Sequence, residues 1–167
     1  MKVNLISITP HSEKLIEYVG RIAYKSTNRI KEGTSKSFIE MLIAKGHLGP
    51  LEHATATFEI SGISRACSHQ LVRHRLASYV QQSQRYVKDF DFTIPPKITK
   101  SNMPSNIYMR TMQVIEKSYE DLISLGIPKE DARFVLPNAA TTIIIMTANF
   151  RQWRHVLKLR LSKHAQW

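Results

Sequence analysis

The stretch Ala54–Arg75, ATATFEISGISRACSHQLVRHR, decides how the rest of the chain is read. Its first seven residues, Ala54 to Ile60, alternate small or apolar side chains with polar ones, which is the two-residue period of a half-buried strand. Ser61 and Gly62 predict a turn, and Ser64 stands where a hydroxyl can cap a helix running to about Arg75. Upstream, Val3–Ile8 alternates as a strand, and Thr9-Pro10 reads as a cap and first-turn proline. Leu15, Ile16, Val19, Ile22 and Ala23 then recur at helical spacing, and Ser37–Lys45 predicts a second helix stopped by Gly46. Downstream, Tyr86–Ile94 predicts a strand and Pro95–Asn106 an exposed loop. Pro104–Leu125 predicts a long helix with Ile107, Thr111, Ile115, Tyr119 and Leu122 on its stripe, ended by Gly126. Pro128–Phe134 follows as a short helix. Thr141–Thr147, TTIIIMT, is β-branched and predicts a buried strand. Asn149 caps a last helix, Phe150–Leu161, with Trp153, Val156, Leu157 and Leu161 on its buried side. Strands and helices mix without a βαβ rhythm, so the predicted class is α+β, a mixed sheet flanked by helices.

At 167 residues, with 43% hydrophobic and 22% charged side chains, the chain can bury one core and is read as a single domain over residues 1–167. The N-terminus lacks a signal-peptide apolar segment, and the apolar run Ile143–Met146 is far too short to span a bilayer, so a cytoplasmic protein with no membrane partner is expected. One cysteine, Cys67, excludes an internal disulfide framework and a multi-cysteine zinc site. The net charge is +11 and unevenly placed: Ala132–Trp167 holds six cations and no acid, and Arg65–Arg110 holds eight cations and two acids. Such clustering implies an anionic partner. Nucleic acid, nucleotide, folate tail and lipid all remain open, as does a merely soluble basic surface.

Three constellations can carry chemistry. In RHRLASYVQQSQRY, Arg73–Tyr86, residues i and i+2 cannot share a helix face, so Arg73 and Arg75 fit best where a helix ends in a polar loop. Ser83, Gln84 and Arg85 there offer hydroxyl, amide, guanidinium and backbone N–H donors, a set that suits a phosphate monoester as readily as it suits solvent. In TANFRQWRHVLKLR, Thr147–Arg160, the residues Asn149, His155 and Arg160 form a polar rim on the last helix. In GHLGPLEH, Gly46–His53, two glycines and a proline force a turn flanked by His47, Glu52 and His53, and the spacing argues against a metal. Cys67 has no recognisable base partner and reads as an inert thiol. Six glycines with none at G-x-G-x-x-G spacing disfavour a Rossmann domain.

Arg73-His74-Arg75, seven residues, then Ser83-Gln84-Arg85-Tyr86 resembles the signature of the flavin-dependent thymidylate synthases (the ThyX family). GPLEHATATFEISGISRACSHQLVRHR before it and ARFVLPNAATTIIIMTANFRQWRHVLKLRLSKHAQW after it are similar to that family in the same order. The resemblance implies the family's fold and its reaction, reductive methylation of dUMP to dTMP. Methylenetetrahydrofolate would be the carbon donor, NADPH the reductant and FAD the cofactor. It implies FAD contacts at His47, Glu52, Arg73, His74, Arg75, Asn149 and His155. It also implies a dUMP pocket of Gln70, Arg73, Gln81, Ser83, Gln84, Arg85, Arg133 and Arg160. Arg160 would activate the pyrimidine, Arg133 would reach dUMP, and Ser83 would hydrogen-bond phosphate or base. A homotetramer with sites built between subunits is implied as well. Val80 is apolar where the family usually has a polar residue, which bears on folate access and on the mobility of the loop. The family usually continues into another helical segment beyond the position of Trp167. Two rivals accompany this reading: a basic nucleic-acid-binding module, and a family relative acting on another pyrimidine nucleotide.

Overall fold

The computed structural model describes residues 1–86, 90–163 and 165. Its sheet has four strands in the order β1-β2-β4-β3 and is antiparallel, formed by β1 (Lys2–Ile8), β2 (Thr55–Ser64), β3 (Ala77–Gln81) and β4 (Thr141–Asn149). The helices among the described residues are α1 (Ser12–Ile22), α2 (Thr34–Ala44), α3 (Arg65–Leu71), α4 (Asn102–Ser124), α5 (Lys129–Ala132) and α6 (Phe150–Arg160). The α+β expectation holds. The chain divides into two compact units, and each strand contributes to both.

One unit comprises Val3–Glu59, His74–Tyr79 and Ile145–Trp167. Its core is Ile16, Leu42, Leu51 and Ala54, with Phe38, Met41 and Phe150 packed against it. Gly20 lets α1 approach α2, since a Cβ there would lie 2.7 Å from the Phe38 ring. The start of α1 departs from expectation. Thr9 does not cap it: its Oγ1 accepts from Thr55 N–H at 2.9 Å and so belongs to the sheet. His11, in the left-handed region at φ 50°, occupies the cap position. The buried face of α1 is Ile16, Glu17 and Gly20, whereas Ile22 is half exposed. Asn149 caps α6 as expected, accepting from Gln152 N–H at 2.9 Å. The buried side of that helix is nevertheless Gln152 and Val156, with Trp153 half-buried, its Nε1 donating to Ala56 O at 3.0 Å. Leu157 and Leu161 face outward, a correction to the predicted stripe.

The other unit comprises Met1–Lys2, Ile60–Arg73 and Val80–Ile144. The turn expected at Ser61-Gly62 is absent, because β2 runs on to Ser64 with Gly62 at φ 69°. Ser64 caps α3, accepting from Cys67 N–H at 3.1 Å. That helix ends at Leu71 and not near Arg75, which leaves Arg73 beyond it. On α4 the predicted stripe holds in its C-terminal half, where Tyr119 is buried and Ile115 and Leu122 are half-buried, but fails earlier, where Ile107 and Thr111 are exposed and Met112 is buried instead. The Pro95–Asn106 loop contains a short 3-10 turn and the first residues of α4. The strand expected over Tyr86–Ile94 includes Val87–Asp89, which lie outside the described residues. In its described part, Phe92 makes an isolated bridge to Ala140.

Candidate functional site

The first unit holds a cleft of about 960 Å³ between the short 3-10 segment Gly49–His53 and α6. Arg151, Arg154, His155 and Lys158 recur at helical spacing and line one wall, with Asn149 at the cap. Glu52 lines the opposite side and accepts from Arg151 Nη1 in a half-exposed ion pair. Leu48 and Leu76 add apolar surface. The cleft thus offers cationic donors for phosphates, one carboxylate for hydroxyl groups and an apolar flank for a ring.

The same unit contains a histidine–arginine cluster. Arg160 Nε donates to His74 Nε2 at 3.0 Å, and the His74 and His155 rings meet edge to face at 5.8 Å. His74 is buried, and Tyr79 OH donates to its carbonyl at 3.0 Å. Burial, then Arg160, then His155 hold the His74 pKa below its ordinary value. The neutral ring therefore accepts at Nε2 and carries its proton on Nδ1. Burial raises the Tyr79 pKa against the opposing pull of Arg160.

The second unit arranges the polar loop. Gln81 Nε2 donates to Ser68 Oγ at 2.8 Å and to Thr142 Oγ1 at 3.2 Å, so its amide is held within the protein. Ser83 Oγ accepts from Arg85 N–H at 3.2 Å and closes a tight turn. Arg85 Nε and Nη2 donate to one oxygen of Glu130 at 3.1 and 2.9 Å. Arg133 Nε donates to the Glu130 carbonyl at 3.1 Å. Arg65 Nη2 donates to the Gln82 carbonyl at 2.7 Å.

The structure gathers Glu52, Asn149 and His155 in one cleft, joins His74 to Arg160 and His155, and groups Ser83, Gln84, Arg85 and Arg133 with Glu130 in the other unit. Gln70 is half-buried there, and Arg73 and Arg75 are exposed. His47 does not line the Glu52 cleft. It accepts from or donates to Tyr24 OH at 3.3 Å in a second cleft with Arg21 and Lys45. The sequence reading passed over Arg151, Arg154 and Lys158. Their i, i+3, i+7 spacing is the signal that finds them, and it was hidden by following the apolar stripe of α6.

Fold and sites together describe a basic α+β protein whose clefts are lined by cationic side chains. The family model described as thymidylate synthase complementing protein matches residues 4–167, and the chain belongs to that family. It is 43% identical to the flavin-dependent thymidylate synthase of Geobacter sulfurreducens, over all of this chain and 76% of that protein. Against the protein of the same name from Clostridium tetani it is 38% identical over all of this chain and 77% of the relative. The corresponding Pyrococcus furiosus protein is 43% identical over 92% of this chain and 65% of its own length. No helix among the described residues is long and apolar enough to cross a membrane.

Proposed function

We propose that this protein is a flavin-dependent thymidylate synthase, converting dUMP to dTMP. The observation that carries the reading is the joining of signature residue His74 to Arg160, beside a cationic cleft that suits a flavin dinucleotide. The fit rests on the donor set: Arg151, Arg154 and Lys158 suit a pyrophosphate, Glu52 suits ribose hydroxyls, and Leu48 and Leu76 suit a ring face. When bound, FAD would supply hydride chemistry. We assign methylenetetrahydrofolate as carbon donor and NADPH as reductant, both polyanions in keeping with the +11 balance.

The chain's own residues would then act as follows. C5 of uracil becomes nucleophilic only when negative charge on the ring is stabilised. A guanidinium, charged at every working pH, does this. Arg160 takes that role, its plane set by the Nε–H bond to His74. The low pKa of His74 keeps the ring an acceptor and so preserves the bond near neutral pH. Ser83, Gln84, Arg85 and Arg133 bind phosphate, with Ser83 a hydrogen-bonding group and not a nucleophile, since no histidine pairs with it among the described hydrogen bonds.

A homotetramer with shared sites accords with β1, an edge strand exposed along its whole length, whose Val3, Leu5 and Ile6 are each more than half exposed. A lone cysteine and anionic soluble substrates favour the cytoplasm. The purified protein is expected to be yellow, to release FAD on denaturation, and to release tritium from C5-labelled dUMP when folate and NADPH are present. Arg160→Ala should lower that release by about 100-fold or more while FAD stays bound. A colourless protein that takes up no added FAD would end the proposal.

A further inference from the structure

Arg65 sits at the junction of β2 and α3, where its backbone N–H donates to Ala140 O at 2.9 Å. Its Nη2 donates to the carbonyl of Gln82, the residue immediately before Ser83. Its Nε is enclosed and is the one buried side-chain nitrogen or oxygen without a hydrogen-bond partner among the described residues. None of the ion pairs among those residues includes Arg65. Asp91 borders the same small cavity, yet its carboxylate accepts from Phe92 N–H. Burial, then the like charge of Arg133, depress the Arg65 pKa, so the site is electrostatically costly for a cation. A neutral residue would avoid that cost, but it would also give up the charge-assisted bond to the loop.

Resting on the reading that the Ser83–Arg85 loop takes nucleotide phosphate, we propose that Arg65 is a positioning residue for substrate binding: its grip on the Gln82 carbonyl sets the turn that presents the phosphate donors. The cavity it shares with Ser83 and Gln84 is about 20 Å³, room for a water molecule and too small for phosphate. Arg65 therefore acts through the loop and does not touch the nucleotide. The paired demand on Arg65 and Arg133 also eases when an anion arrives, because added negative charge lowers the repulsion between the two guanidiniums.

The test titrates FAD-loaded wild type, Arg65→Gln and Arg65→Lys with dUMP and separately with deoxyuridine, which lacks the phosphate, alongside urea unfolding. Arg65→Gln should weaken dUMP by about tenfold or more and deoxyuridine by less than about threefold, with FAD content unchanged. Arg65→Lys, which keeps the charge and N–H donors but loses the planar fork of the guanidinium, should fall between wild type and Arg65→Gln. If Arg65→Gln does not fold, a selective loss of dUMP over deoxyuridine in Arg65→Lys carries the same decision. Equal weakening of both ligands would show a structural role only and overturn the proposal, as would unchanged dUMP affinity. A wild-type protein that holds FAD but binds no dUMP would instead remove the enzyme reading on which the proposal stands.

Discussion

Arg21→Met removes the cation facing a carboxylate that has almost no water. The Glu17 side chain is 2% exposed, and its Oε1 accepts from Arg21 Nε at 2.7 Å. Thr34 Oγ1 lies 2.8 and 3.0 Å from the two carboxylate oxygens and ties the start of α2 to α1. With Arg21 gone, one hydroxyl is left to serve a buried anion. Stripping the partner from such a pair costs about 3–5 kcal/mol. At about 2–4 °C per kcal/mol for a chain of this size, the midpoint should fall by roughly 6–20 °C. Glu17→Met should cost less, because Arg21 keeps its stacking position 4.4 Å from the Phe38 ring centroid. The double variant Glu17→Met with Arg21→Met should regain most of the loss, since two apolar side chains then fill a buried site without charge. Urea unfolding followed by circular dichroism, at one protein concentration for all four proteins, gives the coupling directly. An Arg21→Met cost below about 1 kcal/mol, or a double variant no better than Arg21→Met alone, would refute the argument.

Glu130→Gln should release Arg85 for phosphate. Both partners of that pair are half exposed, so stability should change by less than about 1 kcal/mol, while dUMP affinity should rise by roughly two- to fivefold. Weaker dUMP binding in a titration would contradict this. His74 gives a pH dependence of definite sign. Its pKa is lowered in the fold, so the unfolded chain takes up the proton first. Its contribution to stability is present above the ordinary histidine value of about 6.5 and is lost as pH falls towards the folded pKa. Arg160→Gln removes the second-largest cause of the lowering, so the ring should titrate at higher pH by proton NMR; an unchanged or lower value would refute the assignment.

Elements whose inward face is apolar were legible in the sequence. TTIIIMT reads correctly as a strand, and Asn149 and Ser64 cap the helices they were expected to cap. β3 was not legible because its pattern is inverted. Gln81 points its amide to Ser68 and Thr142, while Val80, apolar where a polar residue was expected, is 71% exposed. A strand with glutamine turned in and valine turned out looks like loop to any reading based on hydrophobic period. The α6 error has the same origin. Gln152 is buried and Leu157 is not, so the leucines misreport the inner face. At the sites, residue identities were legible from the motifs, but pairings were not. Nothing in a one-dimensional order says that Arg160 meets His74 across 86 positions, that Arg151 meets Glu52, or that a half-buried Arg65 bonds the carbonyl just before Ser83.

Those pairings sort the cationic groups by use. Arg85 and Arg151, assigned to phosphates, are matched with the carboxylates of Glu130 and Glu52 in pairs about half exposed. Such pairs stabilise the fold by about 1 kcal/mol at most, so an incoming phosphate can replace the carboxylate at small cost. Until it does, the carboxylate limits repulsion in a chain of net charge +11. Arg160, assigned to the pyrimidine, has a neutral ring among its partners, and its Nε bond to that ring orients the guanidinium without itself drawing on the charge. A carboxylate in the position of His74 would orient it equally well but would neutralise the field at the atom where charge must develop. His74→Glu should therefore harm turnover more than His74→Gln, two side chains that reach about as far as the ring Nε2, even though the glutamate makes the stronger bond to Arg160. The reverse order in single-turnover rates, measured with FAD bound, would show that orientation and not field is what His74 supplies.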